Sequence, residues 1–357
     1  MTHGANGSFQ KLVVHTLTSD FRAGTAVVSV NQVASLAPNS VLVRNQFVGI
    51  NASDINFTAG KYQPGLTPPF DCGFEALGEV VRVGDGVVGL RVGQPVLTSQ
   101  YGAFAEFQVV PASGCLPVPR LDVRFLPLRV SALTALVALE EIAKPKRGGT
   151  ALVTAAAGGT GQFAVQLLKS KYGCTVIGTC SSDDKITYLK SIGCDRAINY
   201  KKEALKDVLK REYPKGVDIV YESVGGAMFD DGVRGLAQGG KLIVIGSIVG
   251  YKDGSAWNAS KGPAPPAASG PQLGPLLLTK GASVHGFFLP HFNKTIPGHL
   301  RELVRLLDQG QLVSGVDPRS FVGVGAIADA VEYLHSGANV GKVVVSLRPP
   351  THQKAHL

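Results

Sequence analysis

Three small residues recur at a fixed spacing in the middle of the chain, where a strand-like run gives way to a helix-like one. Ala156, Gly158 and Gly161 follow the apolar run 151–154 and precede the helix-like run 162–171. This spacing lets a backbone turn tightly and approach a pyrophosphate, whose charge the amino end of the helix stabilises. We therefore expect a bound dinucleotide here. The contacting residues would be Gly158, Gly159, Thr160, Gly161 and Gln162.

The next strand-like run, 174–179, indicates which dinucleotide binds. An NAD site usually carries an Asp or Glu about 20 residues beyond the glycines, where it binds a ribose hydroxyl. Here Ser181 and Ser182 occupy that place, Lys185 follows one helical turn later, and Tyr200 ends the following strand-like run. Hydroxyls and an ammonium suit a 2′-phosphate, which predicts NADPH as the cofactor.

The same segment also has a structural interpretation. Ser182 could instead cap the helix that follows, with Lys185 in solvent. Asp183 and Asp184 could bind the ribose hydroxyls of NADH. The position of the lysine ammonium separates these alternatives.

Composition limits the class of protein. A chain of 357 residues suits two domains, and 45% hydrophobic residues can form a large core. The longest apolar runs are strand-sized, which predicts no transmembrane helix. Five cysteines stand singly, which argues against a disulfide framework. The net charge of +9 comes from dispersed basic residues, so we expect a solvated basic surface and no nucleic-acid partner.

The pattern of the chain changes once. The pattern of residues 10–125 indicates short strands that Gly and Pro interrupt, which is typical of an irregular β domain. From residue 131 strands alternate with helical runs, which predicts an α/β fold with a doubly wound parallel sheet. The expected parallel strands are 150–154, 174–179, 196–198, 218–221, 241–245 and 283–286.

The end of the chain departs from this alternation. Residues 251–275 are rich in Gly, Ser and Pro and are expected to form no regular element, as in an active-site lid or a disordered loop. Helices near 297–309 and 325–336 and a strand at 342–346 should pack back onto the first domain. Strand 283–286 should be the last of its sheet, and its unpaired edge predicts a homodimer.

Segments 49–56 and 73–80 carry a family resemblance. Together with 103–106 and 131–135 they resemble the medium-chain dehydrogenases/reductases. The resemblance implies a GroES-like domain at 1–130, completed by 310–357, and a Rossmann domain at 131–309. Where the zinc enzymes of that family have a Cys and a His ligand, this chain has Asn51 and Phe74. An amide and a phenyl ring are not zinc ligands, so we expect no metal.

Within the family, segments such as 221–230 and 286–289 resemble the prostaglandin reductases. The resemblance implies NADPH-dependent reduction of the C=C bond of α,β-unsaturated carbonyls, with 15-keto-prostaglandins as lipid enone substrates. An NADPH:quinone oxidoreductase is the alternative, since both activities need an open site without metal. A catalytically idle NADPH-binding protein is a third possibility.

Reduction of an enone needs a hydrogen-bond donor at the carbonyl oxygen, where negative charge develops. Tyr62 is the candidate, because related enoyl-thioester reductases carry their active-site tyrosine at a matching place; the alternative is a packing role. Asn51 could face the nicotinamide or the substrate carbonyl, or form a turn. Thr134 could contact the nicotinamide ring or cap a helix.

Further cofactor contacts are expected where strands end. Ser247 follows strand 241–245, at the carboxyl edge where ligands bind in such sheets. The resemblance implies that the backbone of Phe287, Phe288 and Leu289 holds the carboxamide, while their side chains line a lipid pocket or belong to the core. Asn339 could reach the cofactor from the tail.

The ends of the chain bear on its location. The polar amino-terminal residues lack an apolar signal segment. The final residues, Ala355-His356-Leu357, follow the small–basic–aliphatic pattern of a peroxisomal address. We expect a peroxisomal protein, with the cytoplasm as the alternative.

Overall fold

A computed structural model describes residues 7–31, 34–63, 65–257 and 273–348. These residues form two compact units. The first contains the described residues up to Arg129, the segment Val316–Ala338 and those from Val343 onward; the second contains Val130–Gly315 and Asn339–Lys342. The expectation that the helix near 297–309 packs onto the first domain is wrong, because Ile296–Asp308 belongs to the second unit. The carboxyl-terminal tripeptide and most of segment 251–275 lie outside the described residues.

The elements alternate along the chain much as the sequence pattern does. The strands are β1 (Ser8–Val14), β2 (Thr25–Asn31), β3 (Ser40–Gly49), β4 (Phe70–Asp71), β5 (Ala76–Val83), β6 (Pro95–Thr98), β7 (Phe107–Pro111), β8 (Cys115–Pro117), β9 (Thr150–Val153), β10 (Thr175–Cys180), β11 (Arg196–Asn199), β12 (Val217–Glu222), β13 (Leu236–Val244), β14 (Ser283–Gly286) and β15 (Val344–Ser346). The helices are α1 (Phe21–Gly24), α2 (Asp54–Thr58), α3 (Ser131–Val137), α4 (Gly161–Ser170), α5 (Asp183–Ser191), α6 (Leu205–Glu212), α7 (Gly226–Arg234), α8 (Leu273–Lys280), α9 (Ile296–Asp308) and α10 (Ile327–His335).

The first unit is built from antiparallel sheets. One has the strand order β2-β1-β4, and the other β15-β3-β5-β6-β8, with β7 also paired to β3. The tail strand β15 lies antiparallel to β3, with Val345 opposite Val48. Most residues of β3 are buried; Val41 and Val43 pack in one hydrophobic cluster and Val48 packs in another. This unit holds α2 and the loop after it in place.

The second unit is a six-stranded parallel sheet with the order β11-β10-β9-β12-β13-β14. Every neighbouring pair is parallel, so the predicted doubly wound sheet is confirmed. Leu152, Ile177, Val220 and Leu242, from four of the strands, are fully buried in one core. The sheet order places the first glycine-rich turn at the point where the strand order reverses, the usual ligand position in such folds.

Helix α8 corrects one expectation. We predicted no regular element over 251–275, but Leu273–Pro275 are its first residues. Leu273, Leu276 and Leu277 pack against the core of the parallel sheet, which stabilises a helix whose local sequence favours a turn. Pro275 lies in the first turn, where a missing N–H costs no intrahelical bond. Among the described residues, no helix combines the length and apolar character that crossing a membrane requires.

Candidate active site

The glycine-rich loop lies between β9 and α4, and its packing requires small residues. A Cβ on Gly161 would lie 2.5 Å from the carbonyl oxygen of Ala155, and one on Gly158 would lie 3.1 Å from the same oxygen. Thr160, at the amino end of α4, makes no side-chain cap; its hydroxyl donates to the carbonyl of Ser131 at 2.9 Å. An uncapped helix start behind a loop without bulky side chains fits a pyrophosphate.

The side chain of Gln162 forms hydrogen bonds within the protein. Its Oε1 accepts hydrogen bonds from the N–H of Gly315 and the hydroxyl of Tyr188, both at 2.7 Å, and its Nε2 donates to the carbonyl of Gly315 at 2.9 Å. The side chain is fully buried. The side chain of Gln162 therefore ties the loop to Gly315 and Tyr188, so its expected contact with a cofactor stays a prediction.

Lys342 lies beside this loop and was missed by the sequence reasoning. It is 2% exposed, and its Nζ lies 3.4 Å from the hydroxyl of Ser131. A Cβ on Gly159 would meet that hydroxyl at 3.3 Å and Cδ of Lys342 at 3.5 Å, so both residues border the loop. The buried Lys342 thus places an ammonium beside the loop that a cofactor pyrophosphate would approach. The signal available in the sequence was a lone charge ahead of the apolar run 343–345.

The predicted 2′-phosphate residues come together where β10 ends. Ser182 is the N-cap of α5, and its hydroxyl accepts from the N–H of Lys185 at 3.5 Å. The capping interpretation is therefore correct for Ser182. The alternative that Lys185 lies in solvent is wrong, because Lys185 is 8% exposed and its Nζ donates to the hydroxyl of Ser181 at 3.3 Å. Two hydroxyls and one ammonium thus share one corner of the sheet.

Asp183 is committed to its own partners. It accepts from Nδ2 of Asn199 at 3.0 Å and from Nζ of Lys202 at 2.5 Å. The hydrogen bond from Lys202 is the main reason why the pKa of Asp183 lies below its ordinary value. Tyr200 follows β11 directly and is exposed. These contacts occupy the carboxylate of Asp183, while Asp184, the other candidate for the ribose hydroxyls, is exposed.

The other predicted cofactor residues are dispersed around the second unit. Ser247 lies three residues beyond β13, and its N–H donates to the hydroxyl of Tyr251 at 3.0 Å. Asn339 is buried, and its Nδ2 donates to the carbonyl of Gly341 at 2.9 Å. Thr134 lies in the first turn of α3, whose N-cap is Val130, so the capping role of Thr134 is wrong.

The three residues after β14 are only partly buried or are exposed to solvent. The N–H of Phe287 donates to the carbonyl of Val244 at 3.1 Å, and its ring stacks on Phe292 with centroids 5.3 Å apart. Phe288 is 39% exposed and meets His291 edge-on. Leu289 begins a short 3₁₀ helix and is partly buried. The core interpretation is therefore wrong for Phe288, whose ring is accessible.

Glu222, at the end of β12, is a second residue that the sequence reasoning missed. It is fully buried, and its Oε1 accepts from the N–H groups of Val224 at 2.8 Å and Gly225 at 2.9 Å and from the hydroxyl of Thr154 at 3.3 Å. Burial raises the pKa of the carboxyl in spite of these bonds. The side chain therefore fixes the turn after β12, at the carboxyl edge of the sheet.

In the first unit, α2 positions Tyr62. Nδ2 of Asn56, a buried residue of α2, donates to the Tyr62 hydroxyl at 3.1 Å. The tyrosine oxygen is the acceptor in this bond. An O–H group that accepts one hydrogen bond donates a stronger one, because each bond polarises the next.

Asn51 and Phe74 are the residues at which the resemblance to zinc dehydrogenases would place metal ligands. Nδ2 of Asn51 donates to Oε1 of the buried Glu75 at 3.0 Å, and its backbone N–H donates to Asp54 at 2.8 Å. The Phe74 ring packs at 5.5 Å from Phe57. Across the part of the chain that the structure describes, no three His, Cys, Asp or Glu side chains are grouped to hold a metal ion.

The chain is similar to known dehydrogenases and reductases. Residues 159–308 match the zinc-binding dehydrogenase family, and residues 37–120 match the alcohol dehydrogenase GroES-like domain. A probable quinone oxidoreductase of Leishmania amazonensis is 51% identical over 96% of this chain and 98% of its own length. Prostaglandin reductase-3 of Mus musculus is 47% identical over 97% of this chain and 92% of its own length.

A solved structure shares the architecture. The quinone oxidoreductase of Escherichia coli complexed with NADPH superposes with a TM-score of 0.80 and 25% identity, covering 94% of this chain and 99% of that one. The sheet order, the glycine-rich loop and these relatives agree. The chain belongs to the medium-chain dehydrogenase/reductase family of oxidoreductases, with a GroES-like domain and a dinucleotide-binding Rossmann domain.

Proposed function

We propose that this protein reduces the C=C bond of α,β-unsaturated carbonyl compounds with NADPH. The observation that carries the cofactor choice is the pairing of the buried Lys185 with Ser181 beside the Ser182 cap, in place of an acidic ribose ligand. The NADPH complex of the Escherichia coli relative supports it. Prostaglandin reductase-3 at 47% identity supports an enone substrate, of which the 15-keto-prostaglandins are one class.

The chain's own residues have separate tasks in this reaction. The uncapped start of α4 and Lys342 would hold the cofactor's pyrophosphate, and Lys185 its 2′-phosphate. When bound, the cofactor supplies a hydride. Tyr62, polarised by Asn56, would donate to the carbonyl oxygen and stabilise the charge that develops there. Asn51, oriented by Glu75, would help to hold the carbonyl group.

A substrate panel with NADPH tests this proposal. Oxidation of NADPH with a 15-keto-prostaglandin and with trans-2-alkenals is the expected result. Turnover with neither enone would contradict enone reduction, and tighter binding of NADH than of NADPH would contradict the cofactor assignment.

The second candidate is an NADPH:quinone oxidoreductase. It is favoured by the relative named as a probable quinone oxidoreductase, which is 51% identical. Turnover of quinones without turnover of any enone would select it. Binding of NADPH with no turnover of either class would instead indicate an idle binding protein.

A further inference from the structure

A cluster of aromatic rings surrounds Phe57 at the end of α2. Phe57 is buried and meets Phe70 and Phe74 edge-on, with centroids 5.4 and 5.5 Å away. Tyr101 stacks on it at 4.2 Å, with the two ring planes only 13° apart. Phe74 thus packs an aromatic ring at a position where the zinc enzymes of the family have a metal ligand. The surroundings of this position are therefore apolar in this chain.

A cavity of about 380 Å³ opens beside the cluster, within the first unit. Phe57, Leu66, Phe70 and Tyr101 give it an apolar lining, and Asp71 is a polar residue at its wall. Asp71 is paired with Nζ of Lys11 at 2.7 Å, so its charge is compensated. The volume lies in the range of small-molecule sites, and an apolar lining favours a neutral ligand.

The cavity is connected to the proposed donor through the chain. Phe57 directly follows Asn56, and Gln63, which also lines the cavity, directly follows Tyr62. The hydrogen bond between Asn56 and Tyr62 joins these two segments at 3.1 Å. The same pair of segments therefore supplies part of the cavity wall and carries the proposed donor.

We propose that this cavity binds a planar conjugated ring of the substrate, and that Tyr101 determines this preference. Phe57 stacks on one face of the Tyr101 ring and Phe74 meets the ring at a tilt, with centroids 5.4 Å apart, yet Tyr101 is 45% exposed, so part of its ring is accessible. A second ring placed there would extend the stack, with a gain beyond buried area that an aliphatic chain does not obtain. The inference rests on the proposed function for the identity of the reacting group.

The experiment compares Tyr101→Leu with Tyr101→Phe, which keeps the ring. The first probe is 2-naphthol, a planar ring that cannot be reduced, with binding measured by its fluorescence. We expect Tyr101→Leu to weaken 2-naphthol binding about 2- to 12-fold and Tyr101→Phe to restore it. The ratio of kcat/KM for 1,4-naphthoquinone to that for trans-2-nonenal should fall by a similar factor. Leu66→Trp, which fills part of the cavity, should also block 2-naphthol.

Three outcomes would overturn the inference: unchanged 2-naphthol binding in Tyr101→Leu, equal losses for naphthoquinone and nonenal, or a Phe variant as weak as the Leu variant. Thermal unfolding of each variant shows whether it is folded, and Leu66→Trp gives an independent result if Tyr101→Leu is not. If the wild type reduces neither substrate but its 2-naphthol binding follows Tyr101, the proposed function fails and the ring site stands.

Discussion

Replacing Lys185 with Met should separate the two nicotinamide cofactors. Methionine keeps the length of the apolar stem, which matters because Lys185 is 8% exposed, and removes only the ammonium. The structure places that ammonium 3.3 Å from the Ser181 hydroxyl, at the carboxyl end of β10. A 2′-phosphate bound at this corner would lose a charged hydrogen bond.

The magnitude follows from that contact. A hydrogen bond to a charged group contributes about 1.5–3 kcal/mol, which corresponds to a change in Kd of about 12- to 160-fold. NADH carries no 2′-phosphate and should bind with nearly unchanged affinity. We therefore expect the ratio of the NADH Kd to the NADPH Kd to fall by that factor in Lys185→Met.

The assay is a titration of wild type and variant with each cofactor in the absence of substrate. Lys202→Met is the matched control, because Lys202 lies at the same edge but is exposed and paired with Asp183. Its effect on NADPH should stay below about fivefold. Equal losses for NADPH and NADH in Lys185→Met, or equal wild-type affinities for both, would refute the reasoning.

Four further results are expected. Tyr62→Phe should lower turnover of enones about 100- to 1000-fold with unchanged NADPH affinity, and wild-type turnover would reduce Tyr62 to a packing residue. Because burial raises the pKa of Glu222, the wild type should lose stability as pH rises through that raised value. The difference in Tm between Glu222→Gln and the wild type should therefore shift in favour of the variant as pH rises above the ordinary carboxyl range, and a constant difference would contradict this. With Asn51 and Phe74 at the ligand positions, elemental analysis should find no stoichiometric zinc; one zinc per chain, removed together with activity, would overturn this. The outer edge of β14 pairs with no other described strand, so sedimentation should give twice the chain mass of 37.3 kDa, and a monomer would count against a dimer.

The parallel sheet could be predicted because its signals are local. Buried parallel strands are continuous apolar runs, and the glycine spacing before α4 reflects one turn of backbone. Helix α8 could not be predicted, since Gly274 and Pro275 suggest a turn and only contacts of Leu276 and Leu277 with a distant core stabilise the helix. Local sequence therefore predicts an element well where a local turn defines its start. It predicts an element poorly where tertiary packing outweighs the helix propensity of the residues.

The buried polar residues were beyond the reach of local patterns. Lys342 and Ser131 are 211 positions apart in the chain, yet their side chains meet beside the loop. Glu222 follows an apolar strand and could equally have been a solvated residue at a strand end. Only the folded arrangement shows that its carboxyl accepts two backbone N–H groups. Partners of buried charges are set by tertiary structure, so residue type alone does not reveal them.

Helix capping and phosphate binding are compatible at Ser182. The cap uses a lone pair of the hydroxyl oxygen, since Ser182 accepts from the N–H of Lys185. A hydroxyl also has one proton to donate, and a phosphate oxygen is an acceptor. Ser181 likewise accepts from Nζ of Lys185 and can donate its own proton. Both hydroxyl oxygens therefore accept hydrogen bonds from Lys185. Each hydroxyl keeps its own proton, which it could donate to the anion that the Lys185 ammonium attracts. A capping serine followed by a buried lysine is therefore compatible with the proposed 2′-phosphate site.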